Sequence, residues 1–144
     1  MVGIWKCKVS SVLNGDNKQY GRMNMLDGND ETCWNSDCLS NASSSVQYIV
    51  CWLGDGDECK SEDIGSLSLM FQGGFASKSI SISYCASNDQ GKYNQQIRYN
   101  ITDCNGMQTI PIMMKDVCKL RISFEEPSDF FGRITIYHLQ INPM

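Results

Sequence analysis

Residues 26–37, LDGNDETCWNSD, hold Asp27, Asp30, Glu31 and Asp37 around Gly28, a density of hard oxygen donors that suits a divalent cation. An EF-hand does not fit, because the sixth position counted from Asp27 is Thr32 where that loop requires glycine, and no bidentate glutamate closes it. Nucleophilic catalysis would have to pass through His138, the one histidine, which lies between Tyr137 and Leu139 in an apolar-rich stretch. A core or interface role is the better reading for such a residue. The cysteines run C-x4-C at 33 and 38 and C-x7-C at 51 and 59, without a C-x2-C knuckle, so a tetrahedral zinc site would need ligands collected across strands. FQGGF at 71–75 has the glycines of a phosphate cradle but no following Lys-Ser or helix start. It reads as a tight turn with exposed rings, and no catalytic constellation is expected.

These residues need a scaffold, and composition bounds it. A chain of 144 residues with 42% apolar and 19% charged residues is long enough for one ordinary core. No apolar run approaches the ~20 residues that span a bilayer, so a membrane protein is not expected. The net charge of −4 has the wrong sign for a protein whose main partner is a phosphate backbone. Eight cysteines raise the question of a disulfide scaffold. MVGIWKCKVSS lacks the apolar stretch and small-residue cleavage site of a signal peptide and reads as the start of a strand. Free thiols in the nucleus or cytoplasm, not a secreted protein, are therefore expected, with Cys7 and Cys118 as core packing and the Asn41 and Asn100 sequons without meaning.

Period two dominates the pattern. SISISY at 79–84 puts Ile80, Ile82 and Tyr84 opposite Ser79, Ser81 and Ser83, and CKLRISF at 118–124 puts Cys118, Leu120, Ile122 and Phe124 opposite Lys119, Arg121 and Ser123. Both predict half-buried antiparallel strands. Weaker alternation marks Trp5, Cys7 and Val9, then Leu67, Leu69 and Phe71, then Ile97, Tyr99 and Ile101, while QYIVCWL at 47–53 is continuously apolar. NGDN at 14, GDGDE at 54, SNDQG at 87 and DCNG at 103 supply turns. In RITIYHLQI the phase changes after Ile136, which requires a bulge or burial on both faces. Seven or eight short strands without a convincing long helix predict an all-β sandwich or jelly roll in one domain, residues 1–144.

DGNDETCWNSD resembles the opening signature of discoidin domains, the coagulation-factor type C or galactose-binding-like superfamily. More closely, VSSVLN at 9–14, DETCWNSD at 30–37, FQGGF at 71–75 and DFFGRITIYHL at 129–139 resemble a small intracellular family of nuclear-receptor-associated proteins, whose animal member is described as a repressor that binds a testicular orphan receptor. The resemblance implies a discoidin-like jelly roll with Trp34 packed inward and Asn35, Ser36 and Asp37 nearer the loop end. It also implies a structural Ca²⁺ held by the Asp27 side chain, the Thr32 hydroxyl and carbonyl, and the carbonyls of Asn24 and Asp30. Relatives complete that site with a glutamate on the last strand; His138 stands there in this chain, and no other cofactor is implied.

The expected function is a monomeric, non-enzymatic interaction module that binds a nuclear receptor or other regulatory protein through loops at one end. The expected surface joins Phe71, Gln72, Gly73, Gly74 and Phe75 to Asp129, Phe130 and Arg133, with Asn35 and Asp37 beside them. If Phe131 anchors the core, Phe130 faces outward, since adjacent strand residues point to opposite faces. A carbohydrate-binding module is the alternative, and it would need an exposed aromatic platform flanked by Asn, Asp or Arg.

Overall fold

The computed structural model describes residues 5–41, 45–54 and 60–144. Cys59, most of the GDGDE turn and most of the Asn41 sequon lie outside the described residues. Among the described residues eight strands follow one another: β1 (Trp5–Val9), β2 (Trp34–Asn35), β3 (Gln47–Leu53), β4 (Glu62–Phe71), β5 (Ser79–Ala86), β6 (Ile97–Asn100), β7 (Met107–Phe124) and β8 (Thr135–Pro143). The described helices are short. Helix α1 (Asn17–Tyr20) is capped by Asp16, whose carboxylate accepts the Gln19 amide at 3.1 Å.

Strand β7 organises the sandwich. Its residues 107–117 pair with β4, which continues to β8 and β2, while residues 117–124 pair with β5 and residues 119–124 with β3. One antiparallel sheet thereby bends into a layer ordered β1-β3-β7-β5-β6 and a second ordered β7-β4-β8-β2. The bend has a local cause: Met113 and Asp116 sit at φ 49° and 57°, conformations that interrupt a regular ladder. Sequence reading places a strand over 118–124 only, and the first half of β7 is missed because Pro111 and these two irregular residues break its alternation.

Phe124 from the first layer meets Trp34 and Phe71 from the second, with ring centroids 6.1 Å and 6.0 Å apart in tilted and edge-on geometry. Ile80, Ile82, Leu120 and Ile122 fill the same interior with no exposed surface. The serines of β5 depart from expectation. Ser79, Ser81 and Ser83 are buried too, because these small side chains sit among larger neighbours: Arg98 donates to Ser79 Oγ at 2.9 Å, and Arg121 stands opposite Ser83. The phase change in β8 resolves as a bulge: Met70 faces His138 but Phe71 faces Ile136, leaving Tyr137 as the extra residue. Strand β8 also lies between β4 and β2, so it is interior on both edges.

Cys7 and Cys51 face each other across β1 and β3 inside the core. Burial pushes the Cys7 thiol up to about 11 and raises the Cys51 thiol well above the usual range, which leaves both protonated and poor nucleophiles at neutral pH. They pack as small apolar residues.

Candidate functional site

The loop before β2 folds around the Thr32 hydroxyl. Asp27 Oδ2 lies 2.5 Å from Thr32 Oγ1, the Asn24 carbonyl 3.2 Å and the Asn29 carbonyl 3.3 Å. A hydroxyl has one proton, so it can satisfy one of these three acceptors and leaves an excess of hard oxygen around it. Asp27 is further fixed by the Asn29 amide at 2.9 Å, and the Thr32 hydroxyl followed by that amide holds its carboxyl below the usual range. The structure brings Asn24, Asp27 and Thr32 of the set implied by the resemblance close together, and adds the Asn29 carbonyl, for which the sequence had no distinguishing signal. Asp30 enters differently. Its side chain, largely exposed, meets His138 Nε2 at 2.6 Å from the last strand. The donor set is oxygen throughout, which fits a hard cation in kind, with one carboxylate where tight calcium sites use several.

Eight further residues were expected to form a binding surface, together with Asn35 and Asp37. Strand β4 ends at Phe71, and the chain turns through Gln72, Gly73 and Gly74 to Phe75; the Phe75 amide closes the turn on the Gln72 carbonyl at 3.0 Å. Asn105 Oδ1 accepts the Gly73 amide at 2.6 Å and Asp103 Oδ1 the Gly74 amide at 2.9 Å, so the DCNG turn clamps this one. Phe71 is fully buried against Phe124 and belongs to the core rather than to the surface expected of it, because an aromatic at the end of a core-facing alternation continues that alternation.

Asp129 organises the second loop. Its carboxylate accepts the backbone amides of Phe131 and Arg133, each at 3.1 Å, and the Arg133 guanidinium through Nε at 2.9 Å and Nη2 at 3.1 Å. The guanidinium bonds hold the Asp129 carboxyl below its usual range. Arg133 also lies over the rings of Phe75 and Phe131, 5.0 Å and 5.5 Å from their centroids. The two loops therefore meet: Arg133 bridges them, while Thr135 donates to the Phe75 carbonyl at 2.9 Å and accepts the Gln72 amide at 3.0 Å.

Phe131 does not anchor the core. It is 57% exposed and Phe130 94% exposed, and the rings stack edge-on at 5.2 Å. The expectation that one of them turns inward assumed strand geometry, whereas residues 129–132 form a turn closed by the Gly132 amide on the Asp129 carbonyl at 3.0 Å. Beside them a cavity of about 440 Å³ is lined by Leu39, Ser40, Pro127, Ser128 and residues 129–132. Leu39 was missed by sequence reasoning; its amide donates to the Phe131 carbonyl at 2.9 Å across a gap in sequence that no local pattern signals. Asn35 pairs with Thr135 in register, and its Oδ1 is buried without a hydrogen-bond partner among the described residues. Asp37 serves elsewhere: its amide donates to Ser11 Oγ at 3.0 Å and its carbonyl accepts Gln47 Nε2 at 2.8 Å, which ties β2 to the neighbouring layer.

The chain is 37% identical over 134 residues to Nuclear receptor 2C2-associated protein of Xenopus laevis, covering 93% of this chain and 90% of that protein. The zebrafish (Danio rerio) protein of the same name is 38% identical over 135 residues, covering 93% and 87%. The chain belongs to this family. The human member, 33% identical over 136 residues, covers 93% of this chain and 88% of its own length, so the likeness spans the oxygen cluster and both aromatic loops. No family model matches the chain. Among solved structures, an F5/8 type C domain from Bacteroides fragilis superposes with a TM-score of 0.75 at 16% identity, covering 97% of this chain and 92% of that one. A family 32 carbohydrate-binding module from Clostridium perfringens, solved in complex with galactose, gives 0.72 at 16% identity, covering 95% and 92%. The chain thus has the discoidin-like β-sandwich, in agreement with the strand pattern. Among the described residues no helix is long and apolar enough to cross a membrane.

Proposed function

We propose that the protein is a non-enzymatic interaction module that docks a regulatory protein, of the nuclear-receptor class that its relatives' name points to, through the surface joining Gln72–Phe75 to Asp129–Arg133. The observation that carries this reading is the ring of Phe130, 94% exposed on a loop whose shape is fixed beneath it by Asp129. An exposed aromatic on a rigid mount contributes contact area at small entropic cost, which is the usual character of an interface hot spot. Asp129 and Arg133 also hold the two loops of this surface together. The module acts as a monomer in the nucleus or cytoplasm, and the charge of −4 disfavours direct binding to nucleic acid.

Phe130→Ala is expected to leave the melting temperature unchanged and to weaken capture of a nuclear-receptor ligand-binding domain by roughly tenfold or more, a typical hot-spot loss. Arg133→Ala should lower both stability and capture, because it releases Asp129 and two rings together. Capture undiminished by Phe130→Ala would remove the surface from consideration. The aromatic cavity also suits a sugar ring, and a glycan array with wild-type protein separates that reading: strong hits that Phe130→Ala abolishes would favour the carbohydrate-binding alternative.

The oxygen cluster around Thr32 is proposed as a weak Ca²⁺ site supplied by Asp27, Thr32 and the carbonyls of Asn24 and Asn29, with structural rather than catalytic use, and the Asp30 carbonyl that the resemblance implied is not part of that cluster. Calcium at ten times its Kd would stabilise the fold by about 1.4 kcal/mol. Millimolar Ca²⁺ is therefore expected to raise the melting temperature by a few degrees, and Asp27→Asn to abolish the rise. An unchanged melting curve of the wild-type protein at saturating millimolar Ca²⁺ would eliminate the site.

A further inference from the structure

The outward face of the β1-β3-β7-β5 layer has a composition unlike the rest of this acidic protein. Register fixes which residues share it: Lys6, Trp52, Lys119 and Cys85 form one row across the four strands, and Lys8, Val50, Arg121 and Ser83 the next. Four cations stand in these two rows and no carboxylate does, in a chain whose net charge is −4. Lys119 Nζ lies 5.7 Å from the centre of the Tyr93 ring, and the Arg121 guanidinium 4.2 Å from that of Tyr48, so both charges are held in place over aromatic faces.

At the Trp5 end of this face a cleft of about 360 Å³ opens, lined by Trp5, Lys6, Arg22, Met23, Leu26 and Trp52. Its size falls at the lower end of the ~300–1,000 Å³ range of small ligand sites. Trp5 is fixed by its Nε1–H, which donates to Glu62 Oε1 at 2.6 Å, and Met23 is 61% exposed at the rim. Arg22 adds a fifth cation to the lining of the cleft. Lys6 and Trp52 belong to both the cleft and the cationic row, which makes the apolar slot and the charged strip one continuous surface.

We infer that this surface is a second docking site, for an acidic segment of a protein partner that seats one aromatic or aliphatic side chain in the cleft beside Met23 and Leu26 and lays its carboxylates along Lys8, Lys119 and Arg121. Charge complementarity selects the occupant, since strips of one sign steer and orient segments of the other. A polypeptide fits better than a polyphosphate strand for two reasons. The remainder of the molecule repels a dense anion, and Arg121 already covers the Tyr48 face on which a base would stack. The site lies at the Trp52–Lys119 end of β3 and β7, whereas the Phe130 loop follows Phe124 at their other end. It therefore adds to the loop surface rather than extending it.

The test is fluorescence anisotropy with a fluorescein-labelled peptide carrying one phenylalanine flanked on both sides by glutamates, the same peptide with alanine in its place, and labelled oligothymidylate of matched charge. Saturable binding of the phenylalanine peptide is expected, weakened roughly tenfold by Lys8→Glu and again by Lys119→Glu, and weakened by added salt. Met23→Asp, at an exposed rim position, should also weaken it, as should loss of the phenylalanine. Melting curves of each variant exclude unfolding as the cause, and Lys8→Glu stands alone if Lys119→Glu proves unstable. The proposal is overturned by absent binding up to about 1 mM peptide, by variants that bind as wild type does, by tighter binding of oligothymidylate, or by loss of peptide binding in Phe130→Ala.

Discussion

Trp34→Ala is expected to lose about 3–5 kcal/mol, the usual cost of truncating a buried tryptophan, out of the ~5–15 kcal/mol that holds a domain of this kind together. Trp34 has no exposed surface, its ring packs 6.1 Å from Phe124, and its Nε1–H donates to the Ser11 carbonyl at 2.9 Å. Three effects therefore add: lost apolar burial, a cavity between the two layers, and a carbonyl left without its donor. The melting temperature should fall by roughly 10–20 °C, with little soluble protein at the lower end. Trp34→Phe separates the contributions, since it keeps most of the ring and removes the hydrogen bond; a loss of roughly 1–3 kcal/mol is expected from urea denaturation. An alanine variant that melts with the wild type would mean that Trp34 is not the link between the layers.

Gly132→Ala is expected to be the second most damaging single change, although it adds only a methyl group. Gly132 sits at φ 74°, where an L-residue carries about 1–2 kcal/mol of strain. A Cβ there would stand 2.4 Å from Leu39 Cδ1 and 2.6 Å from its Cγ, too close for either group to remain in place. Relief of that overlap costs a further ~1–3 kcal/mol, by the usual scale of overpacking. The consequence reaches function, because Leu39 and Gly132 both line the cavity beside Phe130. Stability and partner capture should fall together in this variant, whereas Phe130→Ala lowers capture alone. Combining Gly132→Ala with Leu39→Ala removes the overlap and leaves the backbone strain, so the pair should couple favourably by about 1–2 kcal/mol. Additive losses would show that the two side chains never meet.

The sequence by itself determined the layers and most of their core. Alternation at Ile80 and Ile82, at Leu120, Ile122 and Phe124, and at Leu67, Leu69 and Phe71 is enough to define strands and their inward faces, because side-chain direction in a strand has a strict period of two. The phase change after Ile136 was legible for the same reason, as a bulge or as burial on both faces, whereas the grouping of Asp27 with Thr32 was implied only by the family resemblance. The first half of β7 was not legible. Its strand character depends on pairing with β4, and left-handed residues at Met113 and Asp116 hide it from any local pattern.

Only the tertiary structure decided which aromatics meet solvent. Phe71 and Phe130 occupy similar motifs, yet one is buried by Phe124, 53 positions on in sequence, and the other stands on a turn that Asp129 folds outward. It also decided that Arg133 serves the loop, that the β5 serines are covered, and that Lys8, Lys119 and Arg121 share one face. Those outcomes depend on register between strands far apart in the chain. Register is set by how whole faces pack against each other, and no short window of sequence contains both partners.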